Sequence, residues 1–487
     1  MRKHVRRAFA AAALPLSLLV ACGGNQQAQK QPTEESNPVW AVADSIRALI
    51  VAPTFADKDF PITEYGATLD STQLSTQAIQ AAIEACHEDG GGRVVVPKGT
   101  FLTGAIHLKS NVNLHLEEGA KLLFSRNTED YKPLVKSRWE GMECMNYSPL
   151  IYAYGQENIA ITGKGILDGN ANSEHWWPWK AKKEYGWKEG MDNQLAAVKK
   201  LTQQVKDQVP VAERIYGDGS FLRPPFIQPY ASKNVLIADV KIINAPFWNI
   251  NPVLCENVTV RDVSVVTHGP NNDGCDPEAS KNVLITGCYF DTGDDCIAIK
   301  SGRNEDGREI GRPAENHIIE NCEMKDGHGG IVIGSEISGG AKNIFAQNLK
   351  MDSPELDRIL RIKTSSLRGG IIEDVHLRNV EVGTYKEAAI LVNMFYENPG
   401  DFIPTVRNIT VDNLQVKKGG KFGVLINAYE ESPVENLKIT NSTIAGVNVP
   451  VQANHTKDMR FDQLTINGKL VTTADVQTSS KEEFEKF

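Results

Sequence analysis

Three aspartates lie in two short segments of similar design that are separated along the chain. The segments are Asn-Asn-Asp at residues 271–273 and Gly-Asp-Asp at residues 293–295, and an apolar run at residues 283–285 separates them. If the segments are successive coils of a stacked sheet, their carboxylates become neighbours in space. A carboxylate cluster open to water can hydrolyse a glycoside, because one member donates a proton to the leaving oxygen and another deprotonates the attacking water. The three candidates are Asp273, Asp294 and Asp295.

The alternation of side chains in an extended chain tests this arrangement. Asn271 and Asp273 are two residues apart, so both leave on the same face. Asp294 and Asp295 are adjacent, so the same rule puts them on opposite faces. Both reach one pocket only if the chain bends, and Gly293 provides the freedom to bend. Crowded carboxylates raise the proton affinity of one member, which supplies the acid. A single aspartate at a turn more often caps a bend or binds calcium, so the hypothesis depends on all three.

The scaffold that must position these residues is a repeated motif of Asn followed by alternating apolar residues. Most copies are roughly 22 to 34 residues apart, a spacing typical of a solenoid. Short strands that are covered only by the coils above and below them indicate an all-β fold, a single parallel β-helix. The leucine spacing does not fit a leucine-rich repeat. The copies begin at Asn111, Asn158, Asn234, Asn257, Asn282, Asn316, Asn343, Asn408 and Asn436, with a degenerate copy at Asp374.

Two segments depart from the β pattern. Ser75 is predicted to cap a helix that covers the N-terminal end of the core. Residues 172–221 are predicted to be a helical insertion, because Leu195, Val198, Leu201 and Val205 recur at helical spacing. The insertion is either a solvated flap or a wall of the active cleft.

The N-terminus has the features of an export signal. Residues 1–21 combine a basic start with an Ala/Leu run too short to span a bilayer, and their end resembles a lipobox with Cys22 as the lipidated residue. Residues 22–37 then form a flexible tether, and residues 38–487 form the catalytic domain. A plain secretory signal is the alternative. These features predict a periplasmic or outer-membrane lipoprotein of a Gram-negative bacterium, which contacts the membrane only through its lipid.

The overall charge limits the partners of the protein. The net charge is −9, and removal of the signal leaves 48 Lys and Arg against 61 Asp and Glu. Such an acidic protein is not expected to bind nucleic acid, since phosphate binding needs a positive surface. The seven cysteines after Cys22 contain no CxxC spacing, so we expect neither a zinc site nor a complete disulfide framework. We expect no cofactor or metal, and a monomer.

Four short segments together resemble the signature segments of the polygalacturonases, glycoside hydrolase family 28, in the order of that family. The resemblance extends from about residue 62 to residue 466, apart from the insertion. It implies a pectin-lyase-like, right-handed β-helix and an inverting hydrolase of α-1,4-linked galacturonate in pectic glycans. The segments are Asn-Asn-Asp at 271–273, Gly-Asp-Asp at 293–295, Gly-His-Gly at 327–329 and Arg-Ile-Lys at 361–363.

The resemblance also assigns roles in catalysis. Asp294 would be the general acid, and Asp273 and Asp295 would activate the water. His328 would hydrogen-bond within the cluster and keep the acid protonated, although a histidine satisfied within its own turn is the alternative. Asn272 stands where the family has Thr, and we expect it to point away from the acids.

Substrate binding is assigned in the same way. Arg361 and Lys363 would bind the galacturonate carboxylate, unless they form surface ion pairs with the next coil. Tyr396, which resembles an aromatic residue of the family, would lie against the sugar or simply pack. Further residues expected to line the site are Asn271, Asp276, Lys300, Arg303 and Arg358.

Asp276 and the insertion together favour attack from chain ends. The alternatives are a rhamnogalacturonan or xylogalacturonan hydrolase, a calcium-dependent pectate lyase on the same fold, and a non-catalytic adhesin.

Overall fold

The computed structural model of the protein describes residues 38–478. The predicted signal peptide, the lipidation site at Cys22 and the tether lie outside these residues, so they remain predictions. From Val42 onward the described chain forms one compact unit. Within residues 38–478, no helix is both long enough and apolar enough to cross a lipid bilayer.

Short strands make up most of the regular structure. The helices are α1 Pro38–Leu49, α2 Thr76–Glu88, α3 Leu195–Lys206 and α4 Asn304–Ile310. The strands before the insertion are β1 Asp59–Pro61, β2 Gly92–Val96, β3 Gly99–Thr103, β4 Ile106–His107, β5 Val112–Leu116, β6 Ala120–Phe124, β7 Val135–Trp139, β8 Met142–Asn146, β9 Ile151–Tyr154, β10 Glu157–Gly163 and β11 Ile166–Asp168. The strands after it are β12 Ile227–Tyr230, β13 Lys233–Ala238, β14 Lys241–Ile243, β15 Glu256–Arg261, β16 Ser264–Thr267, β17 Lys281–Thr286, β18 Tyr289–Thr292, β19 Ile297–Ile299, β20 Ala314–Glu320, β21 Glu323–Met324, β22 Ile331–Ile333, β23 Ala341–Met351, β24 Arg358–Lys363, β25 Ile371–Thr384, β26 Ala388–Asn393, β27 Thr405–Lys418, β28 Phe422–Asn427, β29 Val434–Ile444, β30 Val449–Asn454, β31 Thr456–Lys457, β32 Arg460–Ile466 and β33 Lys469–Leu470.

Strands pair in parallel with strands of the next coil. For example, β13, β15 and β17 align Val235, Val258 and Val283 in one row. Such inward rows form one continuous apolar core that extends from the N-terminal coils to the C-terminal ones. Each coil is therefore covered by its neighbours, as the repeats predict. The fold is a right-handed parallel β-helix, which confirms the expected class.

The first Asn of each repeat has a structural reason. Asn234, Asn257 and Asn282 have φ angles of 53°, 61° and 58°. Asn tolerates this left-handed region better than most residues. The side-chain amides also form a ladder, since Asn234 donates to Asn158 at 2.9 Å and Asn257 donates to Asn234 at 2.7 Å. The repeat in the sequence therefore records a bend and a hydrogen bond at the same place in each coil.

Helix α2 packs on β1, β2 and β5, so it covers the first coils as predicted. Ser75 occupies the N-cap position, but its side chain makes no capping hydrogen bond, which corrects that prediction. The backbone N–H of Ser75 instead donates to the carbonyl of Leu102 at 2.7 Å. The helix is thus attached to β3 through its backbone. Its buried face consists of Ala78, Ile79, Ala82, Ile83 and Cys86, as predicted.

Residues 172–221 form the expected insertion, although α3 is its only α-helix within this fully described range. The remainder contains turns and the 3-10 segments Trp177–Lys180, Lys183–Tyr185 and Val211–Glu213. Leu201 and Val205 are buried in a second apolar cluster that includes Trp139 and Trp248. Leu195, however, is 60% exposed, so the periodicity located the helix but assigned its first residue to the wrong face.

One sheet carries most of the candidate site residues. Its strands, in spatial order, are β19, β22, β24, β26, β28 and β30. Asp294 and Asp295 precede β19, His328 precedes β22, and Arg361 and Lys363 lie in β24. Stacking of parallel strands therefore brings Asp295 together with Arg361 and Lys363, which are 66 and 68 positions further along the chain.

The cysteines of the described chain are buried and unpaired. They are Cys86, Cys144, Cys255, Cys275, Cys288, Cys296 and Cys322.

Candidate active site

The turn at Asn271 is fixed by the buried side chain of Asn272. This side chain accepts a hydrogen bond from the backbone N–H of Gly269 at 2.8 Å and donates to backbone carbonyls of the preceding coil. Asn272 therefore points away from the acids, as predicted. Asn271 and Asp273 both line a cleft on the other side, where Asn271 Oδ1 accepts a hydrogen bond from Arg223 at 2.8 Å.

The chain bends after Gly293, which packs too closely for any side chain. A Cβ atom at this position would lie 2.6 Å from the carbonyl oxygen of Gly269 and 2.7 Å from the carbonyl carbon of His268. Close contact between two coils, and not the backbone freedom we expected, is thus the reason for glycine. The bend brings both Asp294 and Asp295 to the cluster despite their opposite parity.

The three predicted acids meet. One carboxylate oxygen from each of Asp273, Asp294 and Asp295 lies within 4.8 Å of the others. The side chain of Asp294 is 19% exposed and lines the cleft, whereas that of Asp295 is fully buried. His328 Nδ1 is 3.0 Å from Asp294 Oδ1, so the histidine belongs to the cluster and is not satisfied within its own turn.

Asp294 and His328 form a charged pair. Burial opposes ionisation of Asp294, but the adjacent imidazolium outweighs it and holds the pKa of Asp294 well below its usual range. The charge of Asp294 in turn raises the pKa of His328 to about 9. Near neutral pH the shared proton therefore resides on the imidazole. This corrects the expectation that His328 keeps Asp294 protonated in the substrate-free site.

Asp273 behaves in the opposite way. Its burial and the neighbouring charges of Asp276 and Asp294 raise its pKa well above the usual value. The like-charge effect that the sequence predicted is therefore present, but it acts on Asp273 and not on Asp294. The cluster thus contains Asp273, which favours its protonated form, and Asp294, which is ionised because His328 holds the proton.

Arg361 and Lys363 point to the cleft side of β24, while Ile362 is buried in the core, as predicted. Lys363 Nζ lies 2.7 Å from Asp295 Oδ2, and Arg361 Nη1 lies 3.5 Å from Asp295 Oδ1. Burial disfavours the charge of Asp295, but the two cations outweigh it and lower its pKa. Their acidic partner is therefore a buried member of the cluster and not a surface residue of the next coil.

Tyr396 follows β26 and faces the same two cations. Its ring centroid lies 5.5 Å from the guanidinium of Arg361 and 5.5 Å from the ammonium of Lys363, which is cation–π distance. Its ring also lines the cleft. Both the packing role and the sugar-contacting role therefore fit its position.

Lys300 is the centre of a second group of charges. Its ammonium lies 3.0 Å from Glu336, 3.7 Å from Asp273 and 3.6 Å from Asp276, and it lies 4.5 Å from the ring centroid of Trp248. Lys300 lines the cleft, as predicted. Asp276 does not, because its side chain is fully buried next to Asp273, so the expectation that it contacts substrate is corrected.

The two arginines expected to extend the basic lining differ. Arg358 lines the cleft and donates to the carbonyl of His328 at 3.2 Å. Arg303 is packed behind the lining residues, 2.9 Å from Glu140 and 3.7 Å from Glu397. Because Glu140 and Glu397 themselves line the cleft, this part of the wall is acidic and held together by Arg303.

The cleft has a volume of about 460 Å³ and is bounded in part by the insertion. Of the two roles left open for residues 172–221, a wall of the cleft is therefore the one that the structure supports. Sequence reasoning missed several lining residues because their segments carry no repeat motif and reach the cleft only through packing. They are Glu140, Lys180, Lys182, Tyr185, Trp248 and Glu336.

The three acids are close enough to hold a cation, but their neighbours argue against calcium. Lys363 lies against Asp295, His328 lies against Asp294, and Lys300 lies beside Asp273. A calcium ion takes six to eight oxygen ligands, and here it would also face three positive charges. This donor set does not fit the calcium-dependent lyase alternative.

A cleft with clustered carboxylates, paired cations and an aromatic ring on a parallel β-helix defines a class of enzyme that acts on glycosidic bonds. Comparison with known proteins agrees with this class. The family model for Glycosyl hydrolases family 28 matches residues 218–459. The chain belongs to glycoside hydrolase family 28.

Three relatives illustrate the similarity. A hyperthermoactive exopolygalacturonase from Thermotoga maritima is 41% identical, with a TM-score of 0.84, over 88% of this chain and 96% of that chain. The exo-poly-alpha-D-galacturonosidase of Dickeya chrysanthemi is 31% identical over 448 residues, which are 85% of this chain and 72% of the relative. The endo-polygalacturonase of Pectobacterium carotovorum subsp. carotovorum is 27% identical over 426 residues, 83% of this chain and 95% of the relative.

Proposed function

We propose that this protein is an exo-acting polygalacturonase, which hydrolyses α-1,4-linked galacturonate from the ends of pectic chains or oligosaccharides. The observation that carries the proposal is the concentration of Lys300, Arg361 and Lys363 beside three carboxylates in one cleft of an acidic protein. A local group of cations suits an acidic sugar. The two relatives that are 41% and 31% identical, both named for exo activity, support attack at chain ends.

The proposed acid is Asp294, acting with the proton that His328 stores 3.0 Å away. As the glycosidic bond breaks, the leaving oxygen gains negative charge and proton affinity. The proton then moves from the imidazolium of His328 to Asp294 and from Asp294 to the leaving oxygen, which leaves Asp294 ionised and His328 neutral. Asp295, which its two cations keep ionised, and Asp273, once it has lost its proton, would orient and deprotonate the water. Arg361 and Lys363 would exchange part of their contact with Asp295 for the substrate carboxylate.

Direct attack by water would invert the anomeric centre. One oxygen of each carboxylate lies within 4.8 Å of the others, whereas the carboxyl groups of most inverting glycosidases are roughly 6.5–9.5 Å apart. A third carboxylate supports inversion despite this spacing, because two acids can hold one water together. NMR of the first product anomer tests the step, and a retained configuration would require a covalent nucleophile such as Asp273.

Digestion of defined oligogalacturonides tests the activity and the direction of attack together. An exo enzyme should release one small product of the same size first from every chain length, whereas release of mixed internal fragments would contradict exo attack. Activity should persist with a chelator, and the products should not absorb in the ultraviolet as unsaturated uronates do. Rhamnogalacturonan and xylogalacturonan in the same panel test the alternative substrates.

We also propose that the enzyme is exported as a monomeric lipoprotein, anchored in a Gram-negative envelope through Cys22 after removal of residues 1–21. The basic, apolar and lipobox-like segments of the sequence support this proposal. Cys22→Ala should move the enzyme from the membrane fraction to the soluble fraction without loss of activity. Equal membrane association of both forms would contradict the anchor.

A further inference from the structure

One cation of the cleft differs from the others in its surroundings. Lys180 lines the cleft, yet within residues 38–478 no carboxylate lies within the 4.0 Å ion-pair distance of its ammonium. The other basic residues of the lining each have an acidic partner inside this distance. Those residues are Lys182, Lys300, His328, Arg358, Arg361 and Lys363.

The turn that ends at Lys180 is attached firmly to the coil that carries the acids. The indole Nε1 of Trp177 donates to the carbonyl of Ala245 at 2.9 Å. The same ring lies on Gly269, where an added Cβ would be 2.3 Å from the indole. Lys180 therefore extends from a packed turn, and its position relative to Asp273 is set by these contacts.

A second positive charge, that of Arg223, lies close behind and has no acidic partner in the part of the chain that the structure describes. Arg223 is fully buried, and its hydrogen-bond acceptors are all neutral: the carbonyls of Pro246 and Pro270, and the side chains of Asn271 and Gln194. Burial lowers the pKa of Lys180, Glu140 opposes this shift, and Arg223 adds to it. Lys180 and Arg223 thus form no ion pair within the described chain, and the nearby Glu140 is paired with Arg303 at 2.9 Å.

We infer that Lys180 binds a substrate carboxylate on the side of the scissile bond opposite to Arg361 and Lys363. The inference rests on the proposed function. Lys180 is attached over the coil of Gly269, while Arg361 and Lys363 lie in β24, and the coils that carry Asp294 and His328 are stacked between them. The two cationic groups thus flank the proposed acid, and a carboxylate on a different sugar unit faces each of them.

This arrangement defines the substrate more narrowly than an acidic pectic glycan. A chain with a free carboxylate on each consecutive unit satisfies both cationic groups. A chain in which neutral sugars alternate with galacturonate, or in which the unit facing Lys180 is methyl-esterified, leaves Lys180 without a partner. Such a chain should bind more weakly, because the partly desolvated charge of Lys180 stays unpaired in the complex.

Kinetics of Lys180→Gln with trigalacturonate and its mono-methyl esters test the inference. For unesterified trigalacturonate we expect KM to rise about 10-fold or more, because a charged hydrogen bond is lost, while kcat changes much less. With one of the mono-esters, the wild type and Lys180→Gln should have the same KM. Esterification removes one partner of the proposed contact and the mutation removes the other. The four KM values therefore form a double-mutant cycle on that contact.

Two further variants separate a contact from a general charge effect. Lys183→Gln removes a charge from an exposed position of the same insertion that does not line the cleft, so its KM should stay within about twofold of the wild type. Lys180→Arg should restore most of the binding. Equal increases of KM in Lys180→Gln and Lys183→Gln would overturn the inference.

Failure of the inference about Lys180 and failure of the proposed function give different results. If the wild type hydrolyses trigalacturonate and Lys180→Gln has the same KM for it, the inference is wrong and the proposed function stands. An additive effect of Lys180→Gln on every mono-ester would also overturn the inference. If the wild type hydrolyses no oligogalacturonide at all, the proposed function and the inference both fail.

Discussion

Asp294 beside His328 and Asp273 beside Asp276 form two pairs of titratable groups that hold their protons in opposite ways. Asp294 faces His328 at 3.0 Å, so it is ionised and the proton is on the imidazole. Asp273 lies next to Asp276, and their nearest cation, Lys300, is 3.6–3.7 Å away and also pairs with a third carboxylate. Burial by itself raises the pKa of both Asp294 and Asp273. The neighbour therefore decides the protonation state.

The opposite protonation states of Asp273 and of the Asp294–His328 pair predict a pH window for activity. If Asp273 acts as a base, it must lose a proton that its surroundings hold, which sets the acidic limit of kcat/KM. The proton for the leaving oxygen is available only while His328 is protonated, which sets the alkaline limit near pH 9.

The largest effect is expected for Asp294→Asn. This change removes the group between the stored proton and the leaving oxygen, so turnover of trigalacturonate should fall by about 10²–10⁴-fold. Release of reducing ends measures the loss, and circular dichroism tests the fold. Asp462→Asn, at an exposed acid of β32, serves as the control and should retain full activity. Near-normal turnover of Asp294→Asn would refute the assignment of the acid.

A smaller effect is expected for His328→Asn, which removes the store of the proton but keeps Asp294. We expect kcat/KM to fall by about 10²-fold and the alkaline limit near pH 9 to disappear, because no group with that pKa remains in the pair. A pH profile of kcat/KM measures both effects. A variant that keeps the same alkaline limit would show that the limit belongs to another group.

Asp276→Asn should change the second pair with less loss of rate. Its charge helps to raise the pKa of Asp273, so its removal should lower that pKa and move the acidic limit of kcat/KM to lower pH. At neutral pH we expect a change of less than about tenfold, because Asp276 does not line the cleft. An unchanged acidic limit would mean that Asp273 does not set it.

The smallest effect concerns stability. The pKa of His328 is raised by folding from its usual 6.5 to about 9, so the stabilisation by its ion pair is complete below pH 6.5 and is lost as the pH rises through 9. Half of the His328 side chain is exposed, so solvent screening limits the loss to about 1 kcal/mol or less. Urea unfolding at pH 6 and pH 10 should show this loss in the wild type and not in His328→Asn.

Much of the fold was predictable because its signals are local. An Asn at the same bend of each coil follows from backbone geometry, and the alternation of apolar residues follows from the strand. The parity rule placed Asn271 with Asp273, and Arg361 with Lys363, on common faces. The order of four short motifs was sufficient to indicate the family. Apart from the order of the motifs, these features depend only on residues within a few positions of one another.

The charges of the site required the tertiary structure. Asp276 has the same local sequence signal as Asp273 but is buried beneath the cleft, and the sequence alone does not record that depth. The proton of the Asp294 pair is on His328 because the two side chains are 3.0 Å apart, and pKa values depend on such distances. Lys180 reaches the cleft only because its turn packs on Gly269. The sequence by itself thus determined the scaffold and the cluster, whereas three-dimensional packing decided which acids hold protons and which cation of the cleft has no acidic partner within residues 38–478.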